Sequence, residues 1–164
     1  SRVAVLWNPA NPVAAILVKD AQVAAEGLQM KLQLVGVQAA EEFDNAFAAI
    51  VKERAGALTV LADRLFLHNR DRIVGFTAKR RLATVYAYRE LVEAGGLMSL
   101  GPSYAEMHRR AATYVDKILK GTKPADLPVE APLKFELIIN LKAAKQIGLT
   151  IPQSVLYRAD KVIK

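Results

Sequence analysis

Val3-Ala4-Val5-Leu6-Trp7-Asn8-Pro9-Ala10-Asn11-Pro12 is the stretch whose reading decides the fold. An unbroken apolar run of this length is what a strand buried on both faces requires, and such strands belong to parallel sheets. Asn8-Pro9 ends the run, because proline has no N–H to give to a ladder. Pro12 suits the first turn of a helix, where the missing N–H costs nothing. Residues 13–30, rich in Ala, Leu and Gln, continue as that helix. Buried strand, polar loop and helix in that order make one step of an α/β sheet.

The same step repeats outward from this start. Residues 32–37 read as a second strand. Residues 41–54 read as a helix with Phe43, Phe47, Ile50 and Val51 on one face, and Gly56 stands where a C-cap glycine is expected. Residues 57–61 form a third buried strand running into Ala62-Asp63-Arg64. A helix over 66–81 and a strand over 82–86 follow. A short helix over 89–94 closes at Gly95-Gly96. A fifth, short strand covers 97–100 and stops at Gly101-Pro102. Ser103 with Glu106 predicts a capping box opening a helix to residue 119, with Gly121 as its stop. Residues 123–132 hold three prolines and read as an extended surface segment. A last strand covers 135–139, Asn140 caps a helix over 141–147 that Gly148 ends, and Ile151-Pro152-Gln153-Ser154 leads into a short terminal helix.

Strands alternating with helices predict an α/β fold, a Rossmann-like or flavodoxin-like three-layer domain with a mostly parallel sheet. The first four units are regular. After Gly95 the strand is short and its connection long and proline-rich, as when a chain leaves one sheet and reaches towards another. The expected division is an α/β domain over 1–94 and a crossover and C-terminal segment over 95–164.

Composition narrows the function. Of 164 residues, 52% are hydrophobic and 24% charged, which excludes a disordered chain. No apolar run is long enough to span a bilayer. The absence of cysteine excludes disulfides, thiolate metal sites and a cysteine nucleophile. The net charge of +7 raises nucleic acid as a partner, but Lys and Arg are mixed with acids along the chain. The densest cluster, Lys79-Arg80-Arg81, sits at a helix end, where cations complement the dipole. No nucleic-acid partner is expected. The chain enters its first strand at once, without a start Met or a signal sequence, so it is expected to begin inside a longer product or after processing.

Ligands of open α/β sheets bind at the carboxyl ends of the strands, which selects three loops. In the first, Asn8 and Asn11 could hold a carboxylate, or serve as turn and cap residues. In the second, Asp63 could pair with an ammonium group, cap a helix or pair with Arg64. In the third, Tyr86-Ala87-Tyr88-Arg89-Glu90 offers two rings suited to a small-molecule pocket, or to ordinary core and cap packing. Catalytic templates are missing. His68 and His108 lie far apart with no His or carboxylate at i+4, and no nucleophile elbow, phosphate loop or dinucleotide fingerprint occurs. No catalytic residue, metal or cofactor is expected, and the chain does not read as an enzyme.

Beyond the opening stretch, Val85-Tyr86-Ala87-Tyr88-Arg89-Glu90 and Glu93-Ala94-Gly95-Gly96-Leu97-Met98-Ser99-Leu100-Gly101-Pro102-Ser103 are distinctive. So are Ala111-Ala112-Thr113-Tyr114-Val115-Asp116-Lys117-Ile118-Leu119-Lys120-Gly121, Lys123-Pro124-Ala125-Asp126-Leu127-Pro128-Val129-Glu130 and Lys134-Phe135-Glu136-Leu137-Ile138-Ile139-Asn140-Leu141-Lys142. Together they cover nearly the whole chain, and it resembles the second half of bacterial ABC transporter substrate-binding proteins. The resemblance implies a type I periplasmic binding protein: two α/β lobes, a small-molecule ligand in the cleft, and a membrane permease that docks on the closed form. The ligand would be an amino acid, aromatic ones included, or another small organic solute. The location would be periplasmic or extracellular, as a lipoprotein. The N-terminal lobe would precede residue 1. By position, the cleft-lining candidates are Asn8, Asn11, Asp63, Tyr86, Tyr88, Arg89 and Glu90, with Asp63 as partner of a ligand ammonium group. The same lobe pair could instead be a ligand-sensing module of a regulatory or signalling protein. A lone lobe would expose its cleft and crossover surface, so a homodimer of the segment is expected.

Overall fold

The computed structural model describes residues 2–132 and 134–164. Seven strands form one sheet: β1 (Arg2–Trp7), β2 (Lys31–Gly36), β3 (Ala57–Val60), β4 (Ala83–Tyr86), β5 (Met98–Pro102), β6 (Phe135–Asn140) and β7 (Lys161–Ile163), in the spatial order β2-β1-β3-β4-β5-β6-β7. Neighbours are parallel except β5 and β6, which run antiparallel from Met98↔Ile139 to Pro102↔Phe135. The helices are α1 (Pro12–Gly27), α2 (Phe43–Lys52), α3 (Arg64–His68), α4 (Arg70–Lys79), α5 (Arg89–Glu93), α6 (Tyr104–Leu119), α7 (Leu141–Gln146) and α8 (Gln153–Leu156). A mostly parallel α/β domain of flavodoxin-like type is what the alternating pattern predicts.

The opening apolar run behaves as its composition requires. Ala4, Val5 and Leu6 are fully buried. Side chains alternate across a strand, so one run serves both faces. Ala4 and Leu6 enter a cluster with Phe43, Phe47 and Ile50 of α2, Phe66 of α3, Ile73 and Val74 of α4, and Leu91 and Val92 of α5. Opposite, α1 buries Ala14, Val18 and Ala25. A second, smaller cluster joins Leu97 and Ile139 to Ala143 and Ala144 of α7 and to Ile151. Each large side chain fully withdrawn from water stabilises the fold by about 1.5–3 kcal/mol.

Several local features depart from the sequence expectation. The helix expected over 66–81 is two helices meeting at Asn69, whose amide nitrogen donates to the Leu65 carbonyl at 2.8 Å. A short amide side chain competes with the helix ladder in this way. Gly56 does not cap α2. The left-handed residue after the helix is Arg54, at φ 54°, while the Gly56 amide donates to the Arg2 carbonyl at 2.9 Å. The capping box at Ser103 does not form, because the Ser103 side chain caps nothing and Glu106 pairs with Arg109. The strand β7 has no signal in the sequence. Three residues show no periodicity, and only pairing to β6, from Ile138↔Lys161 to Asn140↔Ile163, defines it.

The chain after Gly95 does not abandon the first sheet, since β5, β6 and β7 all extend it. What does depart is the connection between β5 and β6. Helix α6 has no buried residue. Along most of its length it is accompanied by the proline segment: Tyr114 Oη donates to the Pro128 carbonyl at 2.7 Å, and Arg110 Nε donates to Glu130 at 2.6 Å.

Candidate functional site

The carboxyl ends of β1 and β3 lie side by side, with Leu6 opposite Val60. The loops leaving them therefore meet, and the meeting is built around Asp63. Its Oδ2 accepts from Asn8 Nδ2 at 3.1 Å and from Asn11 Nδ2 at 3.0 Å, while its Oδ1 accepts from the Leu65 amide at 2.9 Å. Asp63 is thus the N-cap of α3. The two asparagines are anchored in turn. Asn8 Oδ1 accepts from the Ala10 amide at 2.9 Å, and Asn11 Oδ1 caps α1 through the Val13 amide at 3.0 Å. Turn, cap and cluster are one arrangement. The three hydrogen bonds that Asp63 accepts all come from neutral donors, and among the described residues no cation pairs with it.

The loop after β4 flanks this network. Tyr88 faces Tyr104, the first residue of α6, with ring centroids 5.7 Å apart. Burial, reinforced by the neighbouring Tyr104 and by the charges of Asp63 and Glu90, pushes the Tyr88 phenol up to about 12. It stays a neutral hydroxyl that can donate across the usual pH range. One oxygen of Glu90, Oε2, is buried and has no hydrogen-bond partner among the described residues. The loop is held by close backbone contact: a Cβ at Gly101 would lie 2.2 Å from the Ala87 carbonyl oxygen, so only glycine lets β5 pass there.

Two of the expected cleft residues are placed differently. Tyr86 is a core residue, 1% exposed, with its hydroxyl 2.9 Å from Thr77 Oγ1. Its ring presses on Gly96, where a Cβ would meet Tyr86 Cε2 at 2.4 Å. The expectation of Tyr86 on a cleft wall is corrected, because the strand alternation that exposes Val85 turns Tyr86 inward. Arg89 is occupied by carboxylates, Glu93 at 3.0 Å and Glu136 at 3.4 Å, and ties α5 to β6. Tyr104 was missed by sequence reasoning. It lies 16 positions beyond Tyr88, and nothing local says that the crossover brings it back. Among the described residues no group of three or more His, Asp or Glu is placed to hold a metal ion, and no helix is long and apolar enough to cross a membrane.

The profile of the ABC transporter substrate binding protein family matches residues 1–163. The chain belongs to that family. Three solved structures are similar to it. A conserved domain protein from Vibrio cholerae O1 biovar El Tor is 28% identical at a TM-score of 0.89, over 98% of this chain and 54% of that one. An ABC domain in complex with L-Trp from Streptococcus pneumoniae is 24% identical at a TM-score of 0.88, over 99% of this chain and 56% of that one. The ligand-free, open structure of CD0873, a substrate-binding protein with adhesive properties from Clostridium difficile, is 20% identical at a TM-score of 0.72, over 100% of this chain and 55% of that one. The chain thus spans about half the length of the structures it matches. No curated protein gives a significant match.

Proposed function

We propose that the chain is the second lobe, residues 1–94, with the crossover and C-terminal segment, residues 95–164, of the solute-capturing component of an ABC importer. An N-terminal lobe of the same protein supplies the other wall of the cleft. The observation that carries this reading is the Asp63 network: a carboxyl group held in place by three neutral donors, at the strand edge where α/β folds bind ligands. An ammonium group suits it as a charge-assisted partner. Tyr88 and Tyr104 beside it offer ring faces and a neutral hydroxyl, which favours an amino acid or aromatic solute. Asn8 and Asn11 hold Asp63 in place, Glu90 adds a second negative charge, and Tyr86 and Arg89 support the loop from behind.

Capture then works by population shift. A ligand touching both lobes favours the closed form, which a membrane permease recognises at the outer face of the membrane. Helix α6 leaves Met107, Val115, Ile118 and Leu119 exposed at 39%, 55%, 40% and 81%. These residues pack against the N-terminal lobe in the whole protein.

The test is a thermal-shift screen of the two-lobe protein and of this segment against amino acids, aromatic acids and other small metabolites. At a ligand concentration of about 100 Kd, stabilisation of the two-lobe protein is about 2.7 kcal/mol. Stabilisation of the two-lobe protein alone supports a shared cleft. Equal stabilisation of the isolated segment overturns it.

A further inference from the structure

The parallel strands all begin at one edge of the sheet, and the helices returning to them end there. This edge is opposite the loops of Asn8, Asp63 and Tyr88. The topology brings six cations to it: Lys31 opening β2, Lys52 and Arg54 at the end of α2, and Lys79, Arg80 and Arg81 at the end of α4. All six are exposed, and among the described residues none has a carboxylate within ion-pair distance. Of the acids at this end, Glu53 is bound to Arg2 and Glu93, the last residue of α5, to Arg89, which leaves Glu26 in the last turn of α1.

Helix dipoles account for a cation in a last turn. They do not account for the residues just beyond. Arg54 and Arg81 take left-handed backbone, at φ 54° and 51°, where glycine is the usual choice. The equivalent position after α1 carries Gln29, at φ 52°. Arginine stands at both positions that follow α2 and α4, although the local conformation favours glycine. Apolar side chains stand among the cations: Leu28 is 67% exposed and Val51 39%. Lys52, Lys79 and Arg80 also edge a groove between α2 and α4 over the stacked rings of Phe47 and Phe76, 4.1 Å apart.

We propose that this end of the lobe is a docking surface for an anionic lipid bilayer, remote from the solute site and independent of it. The cations come from three separate elements and spread over a broad end, each on a long exposed stem. That matches many headgroup phosphates without fixed stereochemistry, and Leu28 and Val51 reach the headgroup level between them. An acidic protein segment would ask for a single lined slot. The groove supplies only part of one, and its Asp44 is bound to Arg72 at 2.8 Å.

The experiment is flotation of the chain with vesicles of phosphatidylglycerol and phosphatidylcholine, and with phosphatidylcholine alone. Binding is expected only with the anionic lipid, and loss is expected at about 0.5 M salt, where the screening length falls to a few ångströms. Each cation near such a surface is worth about a factor of five in partitioning, so Lys79→Gln/Arg80→Gln/Arg81→Asn weakens binding on the order of 100-fold. The control Lys117→Gln/Lys120→Gln/Lys123→Gln removes the same charge from α6 and its turn and leaves binding within a few-fold. Arg54→Gly/Arg81→Gly relieves the left-handed backbone, so it folds at least as stably and still loses about 25-fold in binding. Absence of flotation at low salt overturns the proposal. So does an equal loss in the control, which would assign binding to net charge. Saturable binding of a polyglutamate peptide without vesicle binding also overturns it, in favour of an acidic protein.

Discussion

Helix α2 has ten residues and buries Phe43, Ala46, Phe47 and Ile50; helix α6 has sixteen and buries none. Both carry apolar side chains at helical spacing. The difference is what lies opposite. The α2 stripe faces β1, β2 and β3 and meets two aromatic neighbours, Phe66 and Phe76, whereas α6 touches the loop after β4 through Tyr104 and otherwise lies along the proline segment that follows it. An apolar stripe states that a helix wants cover, and it does not say which surface provides it. In the packed region the cover is the sheet made by the same residues 1–94. In the crossover region it is, on our reading, supplied by another lobe.

Three substitutions sharpen this contrast. Phe43 is fully buried, edge-on to Phe66 and beneath the Arg72 guanidinium. Phe43→Ala is expected to cost about 3–5 kcal/mol by urea unfolding. Leu119→Ala on α6 is expected to change the stability of this segment by less than about 0.5 kcal/mol, and to cost clearly more in the two-lobe protein. An equal, small effect in both proteins would sink the proposed cover for α6. Asp63→Asn keeps an oxygen to cap α3 but removes the charge and turns an NH2 group towards the amide donors of Asn8 and Asn11. Solute affinity of the two-lobe protein is expected to fall about 10–100-fold by titration calorimetry, and stability by about 1–3 kcal/mol.

The tyrosine loop and the proline strap separate by pH. Tyr88 is pushed up to about 12 in the fold against an ordinary value of 10.0, so its contribution is fully present below pH 10 and lost as pH rises towards 12. Tyr88→Phe should therefore unfold less steeply over that window, as followed by circular dichroism. Glu130 behaves oppositely. The Arg110 guanidinium holds it down to about 2 from an ordinary 4.5, so its contribution is present above pH 4.5 and lost as pH falls towards 2. Because this pair is on the surface, the expected effect is the smallest: Glu130→Gln leaves global unfolding unchanged and speeds proteolysis between residues 120 and 130.

Much of the site was legible because loops at strand ends are set by the βα pattern. Asn8, Asn11 and Asp63 are short polar residues directly after buried strands, and their joint location follows once β1 and β3 are neighbours. Tyr86 was misread because neighbouring positions on a four-residue strand differ only by a face, and the tyrosine hydroxyl suggests exposure until Thr77 is found to satisfy it. Tyr104 was invisible because its approach to Tyr88 depends on the return of the chain through β5.

The sequence by itself determined the element types, the parallel α/β class and the three loops that carry polar side chains, since buried strands, caps and prolines act over a few residues. Tertiary structure alone decided the order β2-β1-β3-β4-β5-β6-β7, the existence of β7, the break at Asn69 and the convergence of three donors on Asp63. Each of these depends on a contact between residues remote in the chain or on competition between a side chain and the backbone. Local preference contains no term for either.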